Sequence, residues 1–577
     1  MTRIALRAIG LALATATAVA AVGAQESNQP RATFFAPLDV PLVSVDVYAS
    51  DRGGKPMPGL TLEDFEIFED GKPVSISHFY AAPGVTETGR EDVTPGDPAV
   101  ESAPAQDLYL VIYFDDTNLS RGRRQSAIEH LRGFLTSELP PDLRVMLVRY
   151  DGHLNVEQEF TEETDEVVRA LEFVRRSGSL TRQLDESRIL REMENANNAA
   201  AMSGRSSTMM LETAGGSLLQ EIGSYVDQTV QRTRTGIANQ KRLIRSLSGL
   251  SGRKAMLLVS DGVEARPGEL LYRAWGEAFG SVPAFRIDSR RAFLMAARND
   301  LGNDFDELAR FANGHRVSYY NLSAMDVGRA RASSAEARLM DRQGLAIEQG
   351  MSEDVTLGHV AGTTGGRTLV NSPALAGQLD EVAVELASYY SLAFKPLHVG
   401  DGKYHRLEVK VKRTGVHVRH REGYLDVPVA ERITDRTMAA AIHGVTDNPL
   451  GIAVATNGEI TPRKDGTYLV PVIITVPIGQ LVLIPAAREH QGRLSIHLTV
   501  RDWRGDLSAP IRREYPVRIP NSALTTALGQ SAGFTLRLAV GSGRQRIAVG
   551  LRDEIALTES ITFLEIEVGD AGGSGGS

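Results

Sequence analysis

Between Pro41 and Ala82 apolar and polar residues alternate. "LVSVDVYAS" and "DFEIFEDGKPVSISHFYA" carry the period of two expected of strands with one buried face. Asp70-Gly71 interrupts the second run where a hairpin should turn. From Asp107 the pattern changes. "LYLVIYF" is continuously apolar, which predicts a strand covered on both faces. The segment after it, "RRQSAIEHLRGFLTSEL", places Ile128, Leu131, Phe134 and Leu135 at helical spacing. There follow a strand "RVMLVRY", a short strand through Val156 to Phe160, a helix "TDEVVRALEFVRR" and a strand "KAMLLVS". A helix "FDELARFANGH", a strand "VSYYNL", the segments "LGHVAGTTGG" and "RTLVN" and a helix "LDEVAVELASYY" complete the series. Strands alternating with helices predict a parallel, doubly wound, Rossmann-like α/β sheet over 107–390.

Residues 181–250 break that rhythm. They hold no strand signal, and Leu218, Ile222, Val226, Val230, Thr233 and Ile237 form a helical spine, so a projecting helical insertion is expected there. Residues 83–106 are rich in Pro, Glu and Gly and read as a linker. From Ser391 strands return in "SLAFKP", "YHRLEVKVKR" and "GVHVRHREGYL". Neither 40–82 nor 391–427 has enough strands to bury a core alone, so the two are expected to pair as one β-sandwich with the α/β domain inserted between them. A further run of alternating segments over 428–569 predicts a C-terminal β-sandwich, and 570–577 is a Gly/Ser tail.

The N-terminus changes the compartment. "MTRIALR", the apolar run "AIGLALATATAVAAVG" and small residues ending at Ala24 predict a signal peptide over 1–24, hence export to the periplasm or beyond. No later apolar run approaches the roughly 18 residues of a membrane helix, so no transmembrane segment is expected after cleavage. Cleavage removes Arg3 and Arg7 and no acid. It takes the 63 basic residues to 61 against 72 acidic ones, a formal charge of −11, which argues against nucleic acid as a partner. The chain has no cysteine, which excludes disulfides and thiolate metal sites.

In a doubly wound sheet ligands bind beyond the carboxyl ends of the strands. Three strands deliver acids there: Asp115 and Asp116, Asp151, and Asp261. Oxygen ligands in that number suit Mg²⁺, Ca²⁺ or Mn²⁺, although a strand-end Asp also caps helices and forms turns with no metal. Asp115 after its apolar strand and the later "LLVSDG" resemble a von Willebrand factor A (VWA) domain. The flanking "GLTLEDFEIFEDGKPVSISHF" and "ELASYYSLAFKP…DGKYHRLEVKVKRTGVHVRHREGY" extend the likeness, over about 40–427, to the exported VWFA-related proteins of acidobacteria and other Gram-negative bacteria. The resemblance implies a metal-ion-dependent adhesion site built from Asp-x-Ser-x-Ser, a Thr from a second loop and an Asp from a third. It places Asp115 and Thr117 at the first two positions, but the third falls on Leu119, which cannot ligate. A one-residue shift offers Asp116, Asn118 and Ser120 as oxygen donors. Asp261 matches the third-loop Asp, and Thr213, Thr233 and Thr235 are candidates for the second-loop Thr. The resemblance also makes "GTTGGR" at 362–367 a turn.

The sequence shows no Gly-x-Ser-x-Gly elbow, His-Glu-x-x-His pair or Walker loop, and its twelve histidines are scattered. The leading expectation is a non-enzymatic adhesion or envelope-scaffold protein that binds another protein through a degenerate metal edge. A periplasmic metal-dependent hydrolase and an assembly or sensory subunit with a dead metal site are the alternatives.

Overall fold

The alternating N-terminal segment forms four short strands, β1 (Val43–Ser50), β2 (Phe65–Glu69), β3 (Lys72–Val74) and β4 (Ile76–Ala81). Asp70 (φ 48°) and Gly71 (φ 78°) make the two-residue turn between β2 and β3, with the positive φ angles that a type I′ hairpin requires. The computed structural model describes residues 42–85, 107–137, 139–140, 142–176, 183–202, 207–250, 252–323, 356–370, 374–398 and 400–569. The signal peptide, the greater part of the 83–106 linker and the 570–577 tail lie outside the described residues.

The α/β layer follows in chain order as β5 (Leu108–Asp115), α1 (Arg121–Leu135), β6 (Leu143–Tyr150), β7 (Leu154–Thr161) and α2 (Thr164–Arg176). Next come α3 (Gln183–Met202), α4 (Ser207–Leu247), β8 (Arg253–Ser260), α5 (Glu269–Phe279), α6 (Arg286–Arg298) and α7 (Gly302–Gly314). The layer ends with β9 (Val317–Ser323), β10 (Thr368–Val370) and the helix Leu375–Ala387. The strand order is β10-β9-β8-β5-β6-β7. The chain winds outward in one direction from β5 and in the other from β8, so the topological switch point lies between these two neighbours.

The sheet is not wholly parallel as expected. β7 runs antiparallel to β6, because only residues 151–153 connect them, too few for a crossover. On one face Leu110, Ile112 and Phe114 of β5 pack with Ile128, Leu131 and Leu135 of α1. On the other, Tyr319 of β9 donates its hydroxyl to Gln240 of α4 (3.0 Å) and Tyr150 bonds Asn239. The C-terminal half of α4 therefore lies against the sheet, and its N-terminal half lies against α5, where Trp275 donates to the Gly215 carbonyl. Arg188 of α3 pairs with Glu221 of α4, residues equally far from the connection between the helices, as an antiparallel hairpin demands.

After the α/β layer come β11 (Tyr390–Phe394), β12 (Tyr404–Val411), β13 (His417–Arg419) and β14 (Gly423–Leu425). They complete two four-stranded sheets with the N-terminal strands, in the orders β13-β1-β11-β4 and β14-β12-β2-β3. Val45, Val47, Leu392 and Phe394 of the first sheet share a core with Phe65, Ile67, Leu407 and Val409 of the second, where the rings of Phe65 and Tyr390 lie 5.3 Å apart. Each sheet needs strands from both ends of the segment to bury its apolar face.

Residues 427–569, together with Arg245–Leu250, form a separate compact unit. Strand Tyr468–Pro477 pairs with Ser531–Val540, and Glu489–Asp502 with Ile511–Pro520 and Gly543–Asp553. Valines 470, 472 and 476 pack with Leu498 and Val549 in its core, and the helix Val429–His443 lays Ile433 and Ala440 on Ala548 and Ile561. Among the described residues no helix is long and apolar enough to cross a membrane.

Candidate functional site

All eight residues of β5 are buried, since it is flanked by β6 and β8 and covered on both faces. Its last residue, Asp115, lies opposite Tyr150 of β6, and Phe114 opposite Val259 of β8, two residues before Asp261. The chain then enters a single 3₁₀ turn, Asp116–Asn118, ahead of α1. The switch point thus brings the ends of β5 and β8 together, and direct bonds join them. The Asp261 amide donates to the Asn118 carbonyl (2.7 Å), and the Ser120 amide donates to Asp261 Oδ2 (2.8 Å).

Each predicted site residue has a defined engagement. Thr117 donates its hydroxyl to Asp115 Oδ1 (2.6 Å), and Asn118 donates its amide nitrogen to Asp115 Oδ2 (2.8 Å). Asp116, fully buried, faces away toward Arg124 (3.0 Å) and Arg149 (3.7 Å). Arg123 lies 3.2 Å from Asp261 Oδ2. Burial pushes all three carboxyls up, Asp116 to about 6, and the neighbours oppose the shift: Asn118 and Thr117 at Asp115, Arg124 and Arg149 at Asp116, Arg123 and Ser120 at Asp261. Asp151 does not join them; it is an exposed partner of Arg149, and its own carboxyl is held low by that arginine and by the turn amide of His153.

This donor set is engaged with its own turns and with arginines. Both oxygens of Asp115 accept one hydrogen from its own turn, and each keeps a second lone pair. In the one-residue shift to Asp116, Asn118 and Ser120, Asp116 is turned toward Arg124 while Asn118 aims its NH₂ at Asp115. The three second-loop candidates all lie on α4, and Thr213 and Thr235 bond back to carbonyls of their own helix. The buried Asp261 Oδ1 has no hydrogen-bond partner, while Oδ2 takes the Ser120 amide and Arg123. Three arginines stand where an ion's charge would be needed.

Sequence reasoning missed those arginines. Arg124 was visible, because the apolar stripe Ile128, Leu131, Leu135 extended back by one turn lands on it. Also missed was a cluster of Asp70, His398, His405, Asp401 and Asp426 in the β-sandwich. Its two overlapping trios, Asp70/His398/His405 and Asp401/His405/Asp426, each hold ligand atoms within 4.8 Å of one another.

No family model matches the chain, and no curated protein matches it. Among solved structures it is similar to an aerotolerance-related membrane protein from Bacteroides fragilis, at 9% identity over 48% of this chain and 98% of that one, with a TM-score of 0.21. It is similar as well to three N-terminal domains of the type V pili tip protein Mfa5 from Porphyromonas gingivalis, at 10% identity over 89% of this chain and 79% of that one, TM-score 0.24. A third is the manganese-loaded TRAP protein of Plasmodium vivax, at 9% identity over 55% and 94%, TM-score 0.20. Likenesses this low carry no weight for function.

Proposed function

We propose that this is an exported, non-enzymatic protein that binds another protein through the helical hairpin and the helices packed beside it. In this reading the acid–arginine array at the switch point is an internal strut instead of an ion site. The observation that carries the reading is a set of large apolar side chains left in solvent near the hairpin: Met209 (76% exposed) on α4, and Ile287 (67%) and Leu294 (68%) on α6. Trp275 of α5 donates to the Gly215 carbonyl of α4 (2.8 Å), and α6 packs on α5, which ties these residues to one helical layer. Apolar surface gathered on one element marks contact with a partner. Export rests on the N-terminal sequence.

Ile287→Asp combined with Leu294→Asp should leave circular dichroism and melting unchanged while abolishing cross-linked capture of the partner from the native envelope fraction. Equal capture by this variant would remove the reading. Isothermal titration of Mg²⁺, Ca²⁺ and Mn²⁺ should show no saturable binding lost on Asp261→Ala, and Asp115→Ala should retain partner capture. A saturable heat that disappears in Asp261→Ala would restore an ion-dependent edge.

A further inference from the structure

The cluster in the β-sandwich has the makings of a site of its own. Asp70 occupies the first position of the β2–β3 turn, where its Oδ1 accepts the Arg406 amide (2.9 Å) and its Oδ2 is left facing Nδ1 of His405 (2.8 Å). His405 is 4% exposed, on β12, 335 residues from Asp70. Its other nitrogen, Nε2, lies 3.2 Å from Asp401 Oδ1. Asp401 is itself oriented: its Oδ1 accepts the Lys403 amide (2.8 Å), and its own amide donates to the buried Asp426 (3.0 Å). The exposed ring of His398 stacks on that of His405, centroids 4.3 Å apart and planes 15° apart, with a ring nitrogen in reach of Asp70, and it must turn out of the stack for both lone pairs to meet at one ion. Both Asp70 and His398 are exposed, so an ion has a path in.

We infer that Asp70 Oδ2, His398 and Nδ1 of His405 form a binding site for a zinc-class divalent ion, with Asp401 as the outer carboxylate that orients His405. Two imidazoles and one carboxylate suit Zn²⁺ above Mg²⁺ or Ca²⁺, which take oxygen, and they leave a fourth position to water. The outer carboxylate separates this arrangement from a chance gathering of polar groups. A ligating histidine characteristically donates its remote N–H to an acid, and Asp401 is held in place to receive it. Without the ion, the proton between Asp70 and His405 occupies the same position. Burial alone would lower the pKa of His405, but Asp70 and Asp401 outweigh it and hold the imidazole above its ordinary value. Ligation at Nδ1 takes the place of that proton. The ion would tie the β2–β3 turn to the loop before β12, joining the two ends of the sandwich.

The test titrates Zn²⁺ into the tag-free mature chain after chelator treatment, following heat and melting temperature. The expected result is one saturable ion per chain and a melting temperature that climbs with Zn²⁺. Asp401→Asn should weaken binding by about 10–100-fold. His398→Ala, at an exposed ring whose loss leaves the fold intact, should weaken it further and remove the thermal shift. Absence of saturable binding in the wild type, or unchanged binding in His398→Ala, overturns the site and leaves His405 as a bridging imidazolium.

Discussion

Arg124→Met should lower the stability of the α/β unit by roughly 3–5 kcal/mol, because it leaves the buried Asp116 carboxylate without its nearest counter-charge. Arg149 remains at 3.7 Å and keeps the loss toward the lower end. Denaturation followed at the buried Trp275, in a Trp503→Phe background that silences the exposed indole, measures it. The pH dependence gives an independent signature. The folded pKa of Asp116, about 6, lies above its ordinary 3.8. The fold thus favours the protonated acid, and this contribution is complete below about pH 4 and lost as pH rises through about 6. Removing Arg124 raises the folded pKa further, so the variant's deficit should be widest near pH 8 and narrow near pH 5. Asp116→Asn with Arg124→Met removes both charges and should recover most of the loss. A double variant as unstable as the single one would show that the ion pair is not what Arg124 supplies.

These arginines show where the sequence could and could not be read. That Asp115 and Asp261 end neighbouring strands follows from two continuous apolar runs, each closing on an acid, in a chain that alternates strand and helix. What balances the acids was hidden by residue type: Arg123 and Arg124 follow a turn at the start of a helix and look like a solvated first turn. Arg123 is partly in solvent, and Arg124, one position on, falls on the apolar stripe and is buried. β7 could have been read as antiparallel from the brevity of Asp151-Gly152-His153, which only a hairpin can span. The Asp70–His405 contact was beyond any local pattern. It depends on β2 and β12 pairing in the register Glu69↔Leu407, which distant strands settle through their buried faces.

Gly366→Ala should cost at least about 3 kcal/mol, since a Cβ there would sit 1.8 Å from the carbonyl oxygen of Tyr319 and 2.7 Å from its carbon. That neighbour is backbone of β9 and cannot rotate away. "GTTGGR" ends a helix over 356–363 in a Schellman arrangement: Gly366 N–H bonds Ala361 O (2.9 Å), and Gly365, at φ +82°, bonds Gly362 O (3.0 Å). The amide nitrogens of this glycine run are therefore spent on capping, and its bare Cα lets the chain pass against β9 before Arg367 accepts the Asn321 amide (3.0 Å) and starts the β9–β10 ladder. Gly362→Ala is the control. It meets nothing within 4 Å near the end of the same helix and should be neutral or stabilising by up to about 1 kcal/mol. Equal denaturation midpoints for the two variants would mean that the strand and the cap do not meet so closely. A wide gap between them would assign this motif to seating the sheet's far edge, leaving the helical layer to carry recognition.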